Sequence, residues 1–203
     1  MAVEGAHPAE SQRLLFPPPA APFVITRRIL LRELLLALIP AVAFVVVLAL
    51  GNLVYLDYVH VLSGGTWTGI DLFMGLVMSR VMRSLTVPQR AEVAKRLTPR
   101  TLFLLPSLAG TAVTSGIYLA MAEGRFVLSD PWILAAGVVV LVLLAQGLGM
   151  LLPNNVRILL EVQKTRPDVE KIVRLNRRNL LLSGSQAAFQ FAIIFIMAHL
   201  AMI

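Results

Sequence analysis

The sequence predicts an all-α membrane protein: a bundle of about five transmembrane helices, N-terminus cytoplasmic and C-terminus outside. Three observations predict it. Of the 203 residues, 58% are apolar and only 14% are charged, whereas a soluble domain carries roughly a quarter of its residues as charges. Five stretches reach about 20 apolar residues, the length that crosses a hydrocarbon core. Lys and Arg gather in the links on one side of those stretches, and that bias orients them.

The elements follow in order. Residues 1–26, rich in Pro and Ala, read as a disordered cytoplasmic tail that contains His7. No apolar region there precedes a small-residue cleavage site, so the tail is not read as a signal peptide. Residues 27–203 form one transmembrane helical domain. Its first helix is expected over about 29–51, with Pro40 a kink, and its second over about 54–79. The polar link after it holds a short surface helix at 88–97. A third helix, about 100–122, starts from Thr98 as N-cap with Pro99 in the first helical position. Asp130-Pro131 repeats that signal for a fourth helix over about 131–152, with an amphipathic extension, "NNVRILLEVQK", beyond Pro153. Thr165 and Asp168 form an expected capping box ahead of the fifth helix, about 179–203.

Seventeen of the 18 Lys and Arg residues fall before or at the start of the first helix, around the second link or around the fourth, and only Arg125 lies on the opposite side. This places the N-terminus inside. Basic links beside a membrane fit anionic headgroups or a cytoplasmic partner, so nucleic acid is not expected as a partner despite the net charge of +7. The absence of cysteine excludes disulfides, thiolate metal sites and CxxCH haem attachment. Soluble-type catalysis has no footing, because no nucleophile–base set, phosphate loop or zinc spacing is present. Whether the protein is an enzyme stays open.

With this topology His60 lies about 6–8 Å below the outer surface. His199, near the other end of the fifth helix, reaches the same leaflet. In the second helix His60, Gly64, Trp67, Asp71, Met74 and Met78 are spaced 4, 3, 4, 3 and 4, one continuous stripe expected to face the bundle. Gly64 makes a notch one turn below His60, open to a macrocycle or a neighbouring helix. Deeper, Asp71 shares its depth with Gln146, Gln186 and Gln190. A carboxylate there is costly unless it is protonated or held by such amides. Asp71 is thus either part of an interhelical clamp or a proton-linked residue, accepting a proton or a quinol hydroxyl.

The pattern His60-x3-Gly64-x2-Trp67-x-Gly69 resembles the first histidine helix of a group of small bacterial membrane proteins. These are the CopD-like copper-resistance proteins, the HemJ-type protoporphyrinogen oxidases and the membrane module of bacterial urate oxidases. The resemblance covers about 20 residues clearly. It implies a haem or metal ligand at His60 and a multi-pass protein of a prokaryotic plasma (inner) membrane. Such relatives often carry several membrane histidines, whereas here His199 is the one other.

Together these readings lead to a haem b redox protein, or a membrane subunit of an electron-transfer complex, with His60 and His199 as axial ligands. Bis-imidazole ligation saturates the iron and suits electron transfer. Gly64 would admit the porphyrin and Trp67 would pack along its edge. Arg125 would meet the propionates, with Tyr55 and Tyr58 as further donors. One alternative is copper held by His60, Asp57, His199, Met121 and Met202. Another is a non-catalytic anchor or assembly subunit beside other membrane or redox subunits. A transporter ranks lower, because the five helices show no inverted repeat.

Overall fold

The computed structural model describes residues 25–202, so nearly all of the expected tail lies outside the described residues. Among the described residues are five helices long and apolar enough to span a membrane, and no strand. They are α1 (Arg27–Leu50), α2 (Leu53–Ser84), α3 (Val87–Ala122), α4 (Pro131–Val162) and α5 (Val169–Met202). This is a multi-pass membrane protein whose surface is dominated by apolar side chains such as Leu35, Val45, Val54 and Leu141, the solvation a lipid surround requires.

Short turns join the helices, and their chemistry is local. Gly51 takes φ 64°, the left-handed conformation that ends a helix. The next residue, Asn52, caps α2 by accepting from the Val54 and Tyr55 amides at 2.9 and 3.3 Å. Asp130 caps α4 through the Trp132 amide at 2.7 Å, as the Asp-Pro signal predicts. Asp168 caps α5 through the Lys171 amide at 2.9 Å, without the expected reciprocal box from Thr165.

The starts of α3 and α5 and the end of α2 differ from the sequence expectation, whereas α4 continues beyond Pro153 as expected. The 88–97 segment and the third helix are one helix, and Thr98 is an interior residue. Its hydroxyl donates to the Ala94 carbonyl at 2.8 Å, and that of Thr101 donates to Leu97 at 3.2 Å. Hydroxyls that bind main-chain carbonyls around a proline let a membrane helix carry it. The start signal used is the earlier one, Thr86, whose amide donates to Gln89 Oε1 at 2.9 Å. α4 runs past Pro153 because a π-helical stretch, Gly147–Leu151, precedes it. A widened turn there absorbs the hydrogen bond that proline cannot donate. A second π stretch, Phe73–Met78, extends α2 to Ser84.

Packing sets the positions of the polar residues. α3 lies against α1 and α2, and α5 against α2, α3 and α4. α1 and α4 have the least buried apolar stretches, 11% and 17%, and so form the outer, lipid-facing walls. One core joins Trp67, Leu108, Ala112 and Leu143; another joins Met74, Met82 and Leu180. Between them α2 and α5 touch backbone to backbone at Gly75 and Gly184, a small-residue crossing of the kind that brings membrane helices close.

Candidate functional site

The α2 stripe faces the bundle. Trp67, Asp71 and Met74 are buried, and His60, Gly64 and Met78 are half-buried. At mid-bundle Asp71 is completely buried and Gln190 is 1% exposed. Gln190 Nε2 donates to Asp71 Oδ2 at 3.0 Å, bridging α2 and α5. The Ser183 hydroxyl and the Trp67 indole also act on the carboxylate. Only the Gln190 contact is a directed hydrogen bond, and Asp71 Oδ1, Gln190 Oε1 and Gln146 Oε1 are buried without partners.

The four polar residues expected at one depth therefore divide. Gln190 joins Asp71, while Gln186 donates to the Leu143 carbonyl of α4 at 3.0 Å. A cavity of about 100 Å³ lies beside them, lined by Trp67, Leu105, Gly110, Leu143, Gly147 and Gln186 among others. Trp67 thus neighbours both this cavity and Asp71.

Of the residues assigned to haem, His60, Gly64, His199 and Arg125 make contacts within the bundle. His60 Nδ1 donates to the Ala112 carbonyl of α3 at 2.8 Å and lies 3.3 Å from Ser115 Oγ. Its ring packs on Gly116, where an added Cβ would come within 2.7 Å of Cε1. A Cβ at Gly64 would be in ordinary contact, 3.9 Å, with Ala112, so α3 covers the notch. His199 stacks on Trp132 of α4, centroids 3.9 Å apart and planes at 32°. Arg125 pairs with Glu123 at 3.3 Å and donates to the Leu200 carbonyl, fastening the end of α5. Tyr55 and Tyr58 are exposed. As folded, α3 lies against His60 and Gly64 while His199 lies against Trp132 of α4, and we derive no step through a haem there. No group of three or more His, Cys, Asp or Glu side chains converges among the described residues.

The sequence reading missed a second polar junction, at the basic end of the bundle. Asn154 Nδ2 donates to Asn179 Oδ1 at 3.0 Å, and Asn179 Nδ2 donates to Asn155 Oδ1 at 2.7 Å. The apolar part of α4, residues 131–152, is about 33 Å long at 1.5 Å per residue, enough to cross the core. Glu161 lies beyond it, buried at the surface of the bundle's end. It is held by Lys171 Nζ at 2.6 Å, Lys164 Nζ at 2.9 Å and the Asp168 amide at 3.3 Å. These two ammonium groups, Lys171 first, hold its carboxyl well below the ordinary range, at about 2. The signal was present in "PNNVRILLE" and "NRRN": amides in a helix that otherwise turns an apolar face inward.

Comparison with protein-family models, with curated proteins and with solved structures finds no match for this chain.

Proposed function

We propose that the chain is a proton-handling membrane subunit of a redox or electron-transfer system, set in a prokaryotic plasma membrane with its basic links in the cytoplasm. Asp71 is the working residue. The observation that carries this is a carboxyl group completely buried at mid-bundle, with one amide donor and an oxygen left open. Ionisable residues at such depth are costly and mark proton or ligand pathways. The redox part rests on the resemblance of the His60–Gly69 helix. The orientation rests on the distribution of Lys and Arg.

The test is to purify the tagged chain with its associated subunits in mild detergent. Proton uptake on reduction is then followed with a pH-indicator dye, in wild type and Asp71→Asn. Uptake in the wild type that is lost in the variant is expected. Equal uptake in both removes Asp71 from the proton path. A preparation with no redox-active group, in chain or associated subunits, ends the redox reading.

A second reading keeps His60 as a haem b ligand. Nδ1 donating to a main-chain carbonyl fixes the tautomer and leaves Nε2 as the coordinating nitrogen, the arrangement metal-bound histidines favour. His199, stacked on Trp132 of α4, stays the candidate for the second ligand. A low-spin b-type alpha band in the dithionite-reduced minus oxidised spectrum, lost in His60→Ala, supports this reading; haem retained in that variant removes it.

A further inference from the structure

We infer that Asp71 and Gln190 form a neutral carboxylic acid–amide pair, a buried proton-binding site in which a proton on Asp71 Oδ1 is donated to Gln190 Oε1. The inference deepens the reading of Asp71 as proton-linked and rests on it. Half of the pair is already visible as the 3.0 Å bond from Gln190 Nε2 to Asp71 Oδ2. What remains on each side chain is one oxygen, Asp71 Oδ1 and Gln190 Oε1, and both are buried without a partner. An amide oxygen and an ionised carboxylate oxygen are acceptors only. As two acceptors, neither can satisfy the other.

A single proton cures both. Placed on Oδ1, it turns that oxygen into a donor, and Gln190 Oε1 is the acceptor that otherwise goes unused. The result is a cyclic pair with two parallel bonds, N–H to carbonyl and O–H to amide. Turning the Gln190 amide over does not substitute for the proton, because one oxygen on each side chain would still be left over. An ionised Asp71 would instead call for a cation, and none of the ion pairs among the described residues includes it. The groups that face it are Trp67 on its own helix and Ser183 and Gln190 on α5, all uncharged. They act as neutral donors, and none supplies the positive charge that would balance a bare carboxylate, which in this setting is costly.

The pair also has a mechanical consequence. Asp71 lies one turn from Gly75, where α2 meets the backbone of α5 at Gly184. Loss of the proton removes one of the two bonds across this crossing and puts a charge beside it. Proton occupancy is thereby coupled to how closely α2 and α5 dock.

Infrared spectroscopy of the full-length protein in detergent at neutral pH tests this directly. The wild type should show the C=O stretch of a protonated carboxyl, and Asp71→Asn should lack it. In Gln190→Leu the band should persist and move to higher wavenumber, because the acid loses its amide partner. Gln190→Met serves the same comparison should the leucine variant fold poorly, with helix content by circular dichroism as the control. An Asp71-dependent band that does not move when Gln190 is replaced overturns the pair. So does the absence of any protonated-carboxyl band that depends on Asp71. The spectrum is taken on the resting protein and needs no redox partner, so it fails or succeeds independently of proton uptake on reduction.

Discussion

Gly75→Ala is expected to destabilise the bundle while Gly184→Ala does not, although the two glycines touch. A Cβ on Gly75 would point into the α5 backbone, clashing with Gly184 Cα and coming within 2.8 Å of Gly184 N. Ordinary contact starts near 3.4 Å, so α2 and α5 must part by at least about 0.6 Å to relieve the nitrogen contact alone. Backbone atoms cannot rotate out of the way as a side chain can. Overpacking of this kind costs about 1–3 kcal/mol, and an unyielding neighbour puts it near the top. Alanine returns roughly 1 kcal/mol of helix propensity, which leaves a net loss of about 2 kcal/mol. That corresponds to a fall of roughly 4–8 °C in Tm for a chain of this size. A Cβ on Gly184, by contrast, meets Gly75 Cα at 3.5 Å, a normal separation, so that variant should be neutral or slightly stabilised. Thermal unfolding of both variants in one detergent, followed by circular dichroism, reads the difference. Equal shifts, or the larger loss at Gly184, would refute the crossing geometry.

Three further outcomes follow from other contacts. Asn179→Leu strands Asn154 Nδ2 and Asn155 Oδ1 in a buried site and should cost about 1–3 kcal/mol per group left unpaired. Measured against Asn154→Leu, which leaves the Asn155 bond intact, the loss should be larger. Gly116→Ala should push the His60 ring off the Ala112 carbonyl, since the new methyl would lie 2.7 Å from Cε1. One hydrogen bond, about 1 kcal/mol, is the expected loss, and the His60 ring NMR signals should shift; unchanged signals would contradict the packing. Glu161 titrates at about 2 in the folded protein against an ordinary 4.5. A carboxyl with a lowered folded value adds stability that is fully present above the unfolded value and lost as pH falls through the folded one. The wild type should therefore lose stability between about pH 4.5 and 2. Glu161→Gln should be less stable at neutral pH and show a flatter acid limb.

Much of the fold was legible without coordinates. Apolar length alone specifies five spans, because a bilayer crossing demands it whatever the neighbours are. Asp130 was readable as a helix start, and Asp168 as part of one, since a cap is made within three residues of chain. The inward face of α2 was readable too, since 3.6-residue periodicity is a property of the helix itself. Helix ends were less legible: Thr86 and Thr98 carry similar start signals, and only the surrounding helices let Pro99 sit inside α3.

The candidate site divides along the same line. That Asp71 needed an amide or a proton followed from its depth in an apolar helix. That the amide is Gln190, 119 residues away, depended on which helix packs beside α2 and how it is rotated. His60 and His199 were matched by leaflet alone; in the fold one ring turns to the Ala112 carbonyl on α3 and the other lies on Trp132 of α4. Gly64 was readable as a gap, and the tertiary structure filled it with α3. Periodicity within one helix fixes which side chains share a face and how deep they lie. It carries no information about the neighbour that face meets, because helix order and rotation in the bundle are set by packing between segments distant in the chain.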